Sequence, residues 1–185
     1  MKFSRKWLIA IAVAVVLVAG GVTGWLVLRP GANADSKAAS VVSGFFDVYK
    51  EKDSAAGQYL ASGALSATGI SFDGIQGVLA ERLTYKVTGS ETDKNTDGQV
   101  LVDVKVTTVD VAKVLQSFEQ TTETDPDKLL AEVMDAIEAS DVPLATRDCQ
   151  VVVASYPAGM RIVMTADLSN VLLGGFNEYL ASQLP

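Results

Sequence analysis

The chain contains no histidine and one cysteine in 185 residues. Without histidine there is no Ser–His–Asp or Cys–His catalysis, and the commonest metal ligand is missing. With Cys149 alone there is no intramolecular disulfide, so any folded domain is held by its core. Gly-x-Ser-x-Gly, P-loop and dinucleotide-binding patterns are absent as well. Acidic residues are missing from the first 34 positions: all 22 lie after Ala34, together with 11 of the 15 basic residues. The part of the chain after Ala34 therefore has a net charge near −11. That argues against attraction to nucleic acid or anionic lipid, and a solvated acidic surface is the simplest reading.

What the chain does have is a long uncharged run, 7–28, reading WLIAIAVAVVLVAGGVTGWLVL. About 20 apolar residues in a helix cross a bilayer core, and in lipid a helix satisfies its own backbone. Trp7 and Trp25 stand near the two ends, where amphipathic rings favour the interface. Lys2, Arg5 and Lys6 precede the run and Arg29 follows it, which predicts a cytoplasmic tail at 1–6 and the rest of the chain outside. A competing reading is a cleaved signal peptide ending at Ala32-Asn33-Ala34, but its apolar region would ordinarily span about 7–15 residues. A retained single-pass anchor is the expectation. Gly20 and Gly24 put small residues on one face of it, a weak signal for lateral association. The only cysteine, Cys149, lies deep in the chain and not just after the run, which disfavours lipidation.

Residues 29–35 (RPGANAD) read as a short linker, and 36–185 as one extracytoplasmic domain long enough for a proper core. Ser36 is placed to cap a helix reaching Lys52, with Val41, Val42, Phe45, Phe46 and Tyr49 at helical spacing. A shorter helical piece over 54–60, a Gly/Ser/Ala-rich loop over 61–77 and a short helix ending near Leu83 follow. Leu83, Tyr85 and Val87 alternate with polar residues, as do Val100, Val102, Val104 and Val106; both predict half-buried strands, paired through a turn at Asp97-Gly98. Asp110 is placed to cap a helix running to about Gln120, and Asp125 with Pro126 to start one ending near Ser140. Residues 144–156 and 160–165 predict a second hairpin, and one last helix runs from Asp167 or Ser169 through Leu180. The element order predicts an α+β domain with a curved antiparallel sheet.

Three stretches carry a resemblance: Phe45-Phe46-Asp47-Val48-Tyr49-Lys50-Glu51-Lys52-Asp53 with Tyr59-Leu60 behind it; Val106-Thr107-Thr108-Val109-Asp110-Val111-Ala112-Lys113-Val114-Leu115; and Asp167-Leu168-Ser169-Asn170-Val171-Leu172-Leu173-Gly174-Gly175. With these the chain resembles envelope proteins, often lipoproteins, of Gram-positive bacteria. The resemblance implies a cystatin-like, nuclear-transport-factor-2-like roll over about 36–180. The chain departs from that family in lacking the lipid-bearing cysteine and in carrying Met160-Arg161-Ile162 where such folds often place a tryptophan.

No catalytic, cofactor-binding or metal-ligating residue is assigned from the sequence. Asp93-Lys94-Asn95-Thr96-Asp97-Gly98 opens like a calcium loop, but the twelfth position is Val104 in a strand, so it reads as a hairpin turn. Asp125 and Asp127 read as a helix N-terminus. Tyr49, Tyr59, Tyr85 and Tyr156, and Met134, Met160 and Met164, read as core or core-edge residues before pocket residues. Cys149 reads as a small buried hydrophobe; a reactive thiol would need a cation, and Arg147 shares its strand face. Three functional expectations result. The leading one is a membrane-anchored, non-catalytic module of the cell envelope that meets a protein partner or a small ligand. The second is a lyase- or isomerase-type enzyme using carboxylates and tyrosines in the cone of the roll; Asp103 enters that cone only if Val102 and Val104 face solvent, and alternation argues the reverse. The third is a homodimer formed through the open sheet face.

Overall fold

A computed structural model describes residues 34–68 and 71–183, and the expected anchor lies outside them. Among the described residues no helix is long and apolar enough to cross a membrane. The chain forms an α+β domain: α1 (Ala34–Lys50), two 3-10 turns (Ser54–Tyr59 and Leu65–Thr68), α2 (Ile75–Glu81), β1 (Thr84–Thr92), β2 (Gln99–Val109), α3 (Val111–Ser117), α4 (Pro126–Glu138), β3 (Leu144–Tyr156), β4 (Gly159–Val163), α5 (Ala166–Leu172) and α6 (Phe176–Gln183). The four strands form one antiparallel sheet in the order β1-β2-β3-β4.

The sheet has one dry face. Val100, Val102, Val104 and Val106 of β2 are buried, and the first three lie opposite Val153, Val151 and Cys149 of β3. Against this ladder α1 lays Ala38, Val42, Phe45, Phe46 and Tyr49, all at 0% exposure. Phe45 meets Phe46 edge-on at 5.3 Å, and Phe46 stacks on Tyr85 of β1 at 4.9 Å. The period-two strand pattern and the 3.6-residue helix pattern thus meet on a common surface. A second apolar cluster sits at the end of the sheet, where Val109 of β2 joins Leu79, Leu115, Val133, Ile137, Phe176 and Tyr179.

The caps behave as their residue types require. The Asp110 carboxylate accepts the Lys113 N–H at 3.3 Å, and Asp125 accepts that of Asp127 at 3.0 Å with Pro126 at the helix start. Ser36 lies inside α1, whose bounds are Ala34–Lys50, so it is not the cap the sequence suggested. β1 continues to Thr92 through a bulge at Thr88, into a stretch expected to be turn. The largest departure is at the C-terminus, where two helices replace the single one expected. Gly174 and Gly175 have φ of +63° and +82°, a left-handed conformation that ends α5. Their lack of side chains also admits neighbours: a Cβ on Gly174 would strike Val109, and one on Gly175 would strike the Arg147 guanidinium.

Arg147 is the joint between sheet and C-terminal helices. It lies opposite Val106 on the inner face, and its side chain is 15% exposed. Nη2 donates to Asp110 Oδ1 at 3.0 Å, and Nε stands 3.7 Å from Glu178 Oε2. Gly175→Ala should therefore cost about 2–4 kcal/mol, because it displaces a partly buried ion pair as well as straining the backbone. Gly63→Ala, at φ +74° with nothing within 4 Å of its new Cβ, should cost only about 1 kcal/mol. Urea unfolding of the two variants checks the difference. Tyr49 supplies a second measurement: its hydroxyl is buried and has no hydrogen-bond partner among the described residues. Tyr49→Phe removes that unpaired group and should stabilise the domain by about 1 kcal/mol in the same assay.

Candidate functional site

The face of the sheet turned away from α1 is polar at its centre. β2 presents Asp103 and Lys105 there, and β3 presents Thr146, Asp148 and Gln150, because each alternates with less exposed neighbours. A hollow of about 540 Å³ lies on this face, lined by Thr88, Asp103, Val104, Asp148, Cys149, Gln150 and Asp167. The β1 bulge brings Thr88 to its rim, where the hydroxyl donates to the Asp103 carbonyl at 3.2 Å. Gln150 Nε2 donates to Asp103 Oδ1 at 3.2 Å. On the far side, the Gln150 backbone N–H donates to Asp167 Oδ2, also at 3.2 Å.

This last bond has a topological cause. β4 pairs with β3 only as far as Val152, so the Gln150 N–H has no strand beside it. Asp167, in the first turn of α5, takes that N–H instead; Thr165 caps the same helix by accepting from Leu168 at 3.1 Å. Lys105 Nζ meets Asp148 Oδ1 at 3.1 Å, with both side chains well exposed. The hollow is therefore a shallow, wet arrangement of acceptors. It suits hydrogen-bond donors and cations.

Asp103 belongs to this outer face. Val102 and Val104 are buried, at 0% and 1% exposure, so Asp103 does not enter the space between sheet and helices. The buried polar side chains among the described residues are Gln76, Thr108 and Asn170, and none is an acid. Each has a partner in the fold: Gln76 accepts from the Ser71 N–H, Thr108 donates to the Leu79 carbonyl and Asn170 accepts from the Glu178 N–H.

The tyrosines do not converge. Tyr49 is in the core, Tyr59 packs over Gly44, Tyr85 donates to Asp47 Oδ1 at 2.8 Å, and Tyr156 sits at the end of β3 beside the β3–β4 turn. Tyr85 is held above its ordinary pKa, first by burial and then by Asp47. Met160 lies in the main core, with Met164 packed against it, and Met134 packs against the second cluster. At Asp93 the carboxylate accepts the Asn95 N–H at 2.8 Å, a turn of the hairpin. No group of three or more metal-ligating side chains is assembled among the described residues. The link from Asp103 through Gln150 to Asp167 escaped the sequence reading, since it depends on strand register and on where β4 stops.

Comparison with known proteins finds no matching family model, no matching curated protein and no matching solved structure.

Cys149 faces the core at 3% exposure. Burial and the neighbouring Asp167 carboxylate push its thiol up to about 12, and the charge of Arg147 is met by Asp110 and Glu178. The thiolate needed for reaction is thus scarce in the folded chain at any pH well below that value. Labelling with a thiol reagent at pH 8 should be slow in the native protein and rapid in denaturant; fast native labelling would show that the site opens.

Proposed function

We propose that the chain is a single-pass membrane protein that displays a non-catalytic binding or interaction domain at the cell envelope. In this reading the α+β domain is a cystatin-like roll of the kind found in the Gram-positive envelope proteins that the sequence resembles. The observation that carries the proposal is the apolar inner face that the described residues give the sheet. Phe45, Phe46, Val102, Val151 and Leu168 belong to one buried cluster there, and the buried polar groups among the described residues include no acid. The outer surface is then the working part. Its acidity suits a protein partner or a small ligand rather than nucleic acid.

The proposal is tested with the full chain in a Gram-positive host, tagged at its C-terminus. The chain should stay in the membrane pellet after alkaline carbonate washing, and external protease should remove the tag from intact cells. Retention of the tag after protease, or a chain released by the wash, would overturn it. A shorter species in the medium, starting near Ala34, would replace the anchor with secretion.

A further inference from the structure

Among the described residues the sheet has three stretches of edge that no strand covers, and they are not alike. The outer edge of β4 is occupied: Leu60 bridges Ile162 in parallel, and the Ala61 N–H donates to the Ile162 carbonyl at 2.8 Å. The β1 edge is interrupted by the bulge at Thr88 and carries the exposed Lys86 and Glu91, devices that discourage strand pairing. The third stretch is the first half of β3. β4 reaches only Val152, leaving 144–151 without a strand on that side among the described residues.

The direction of the backbone groups along this half-edge follows from Gln150. Its N–H points away from β2, to Asp167. In an antiparallel strand the groups on one side recur every second residue, so Leu144, Thr146 and Asp148 also direct their N–H and C=O away from β2. Asp167 takes only the N–H of Gln150, and no hydrogen bond within the described residues takes up the other three. Leu144, at the start of this segment, is 56% exposed, the single large hydrophobic residue so exposed among those described.

We propose that this free half-edge, residues 144–148, is a strand-addition site for an extended, positively charged peptide segment of a partner protein. Strand addition supplies main-chain hydrogen bonds at the edge, and alternate side chains of the added strand read the flanks. Here Leu144 offers an apolar contact at one end. At the other, where the hollow opens, stand Asp148, whose exposed pair with Lys105 an incoming cation must compete for, and Asp167, whose carboxylate also accepts the Gln150 N–H. The same charge disfavours a second copy as occupant, since each copy carries a net charge near −11 after Ala34. The proposal deepens the binding-module reading by naming the partner's chemistry. The two fail separately: a C-terminus on the cytoplasmic side would sink the topology and leave this site standing.

The test uses the full chain in zwitterionic detergent and a fluorescent peptide of about six alternating lysine and valine residues, the length of an ordinary strand. A glutamate–valine peptide is the control. The lysine peptide should bind, and the glutamate peptide should not. Thr146→Pro removes an edge N–H that the fold itself does not use, so it should leave the domain folded and weaken binding at least about tenfold. Asp148→Lys should do the same through charge. On the unaltered chain, the amide protons of Thr146 and Asp148 should exchange at least about tenfold more slowly with peptide bound. Wild-type affinity in a folded Thr146→Pro protein, equal binding of both peptides, or unchanged exchange at these two amides would overturn the proposal. So would a concentration-dependent dimer abolished by Thr146→Pro, which would give the edge to a second copy.

Discussion

The contact on which the structure depends is that between the valine ladder of β2 and the aromatic face of α1. β2 is paired on both sides, so its side chains are confined to two faces, and one of these is apolar at every second position from Val100 to Val106. That strand fixes the register of its neighbours, because a slip of one residue would turn its valines to water and bring Asp103 and Lys105 inward. α1 answers with Val42, Phe45, Phe46 and Tyr49. Everything on the outer face, including the placement of Asp103 beside Gln150, is a consequence of which side of β2 must be dry.

Arg147 does a different kind of holding. It is a charged residue at an inward-facing position, opposite a buried valine, and it is tolerated because Asp110 and Glu178 meet it. Asp110 also caps α3, so a single carboxylate ties a helix start to the sheet. Gly175 leaves room for the guanidinium, and the break between α5 and α6 falls where that room is needed.

Much of this fold was legible because its signals are local. The alternation of β2, the bounds of β3 at Leu144 and Tyr156, and the caps at Asp110 and Asp125 each depend on a few neighbouring residues. The break at Gly174-Gly175 was visible as a cost to a helix, but its reason, an arginine from β3, is 28 positions away. The Thr88 bulge likewise depends on β2 pairing. The burial of Cys149 was readable from its strand, whereas its Asp167 neighbour was not. The hollow and the free half-edge share one origin: β4 is five residues long and β3 thirteen. The length of β4 is set by where α5 begins, and the sequence alone shows that boundary only as Thr165 before Asp167.

The position of α1 in the chain has a consequence for how the domain is made. Its buried face is synthesised first, yet the strands that cover it arrive later: Val102 is more than 50 residues beyond Phe46, and Val151 about 50 beyond that. A chain made N-terminus first therefore carries Phe45, Phe46 and Tyr49 uncovered until β1 and β2 emerge, and their cover is complete only with β3. The central β2–β3 pairing must also close across α3 and α4, which lie between the two strands. Non-local closure of this kind is slow relative to helix formation and exposes apolar surface meanwhile. For such a domain the vulnerable interval is assembly rather than the finished state.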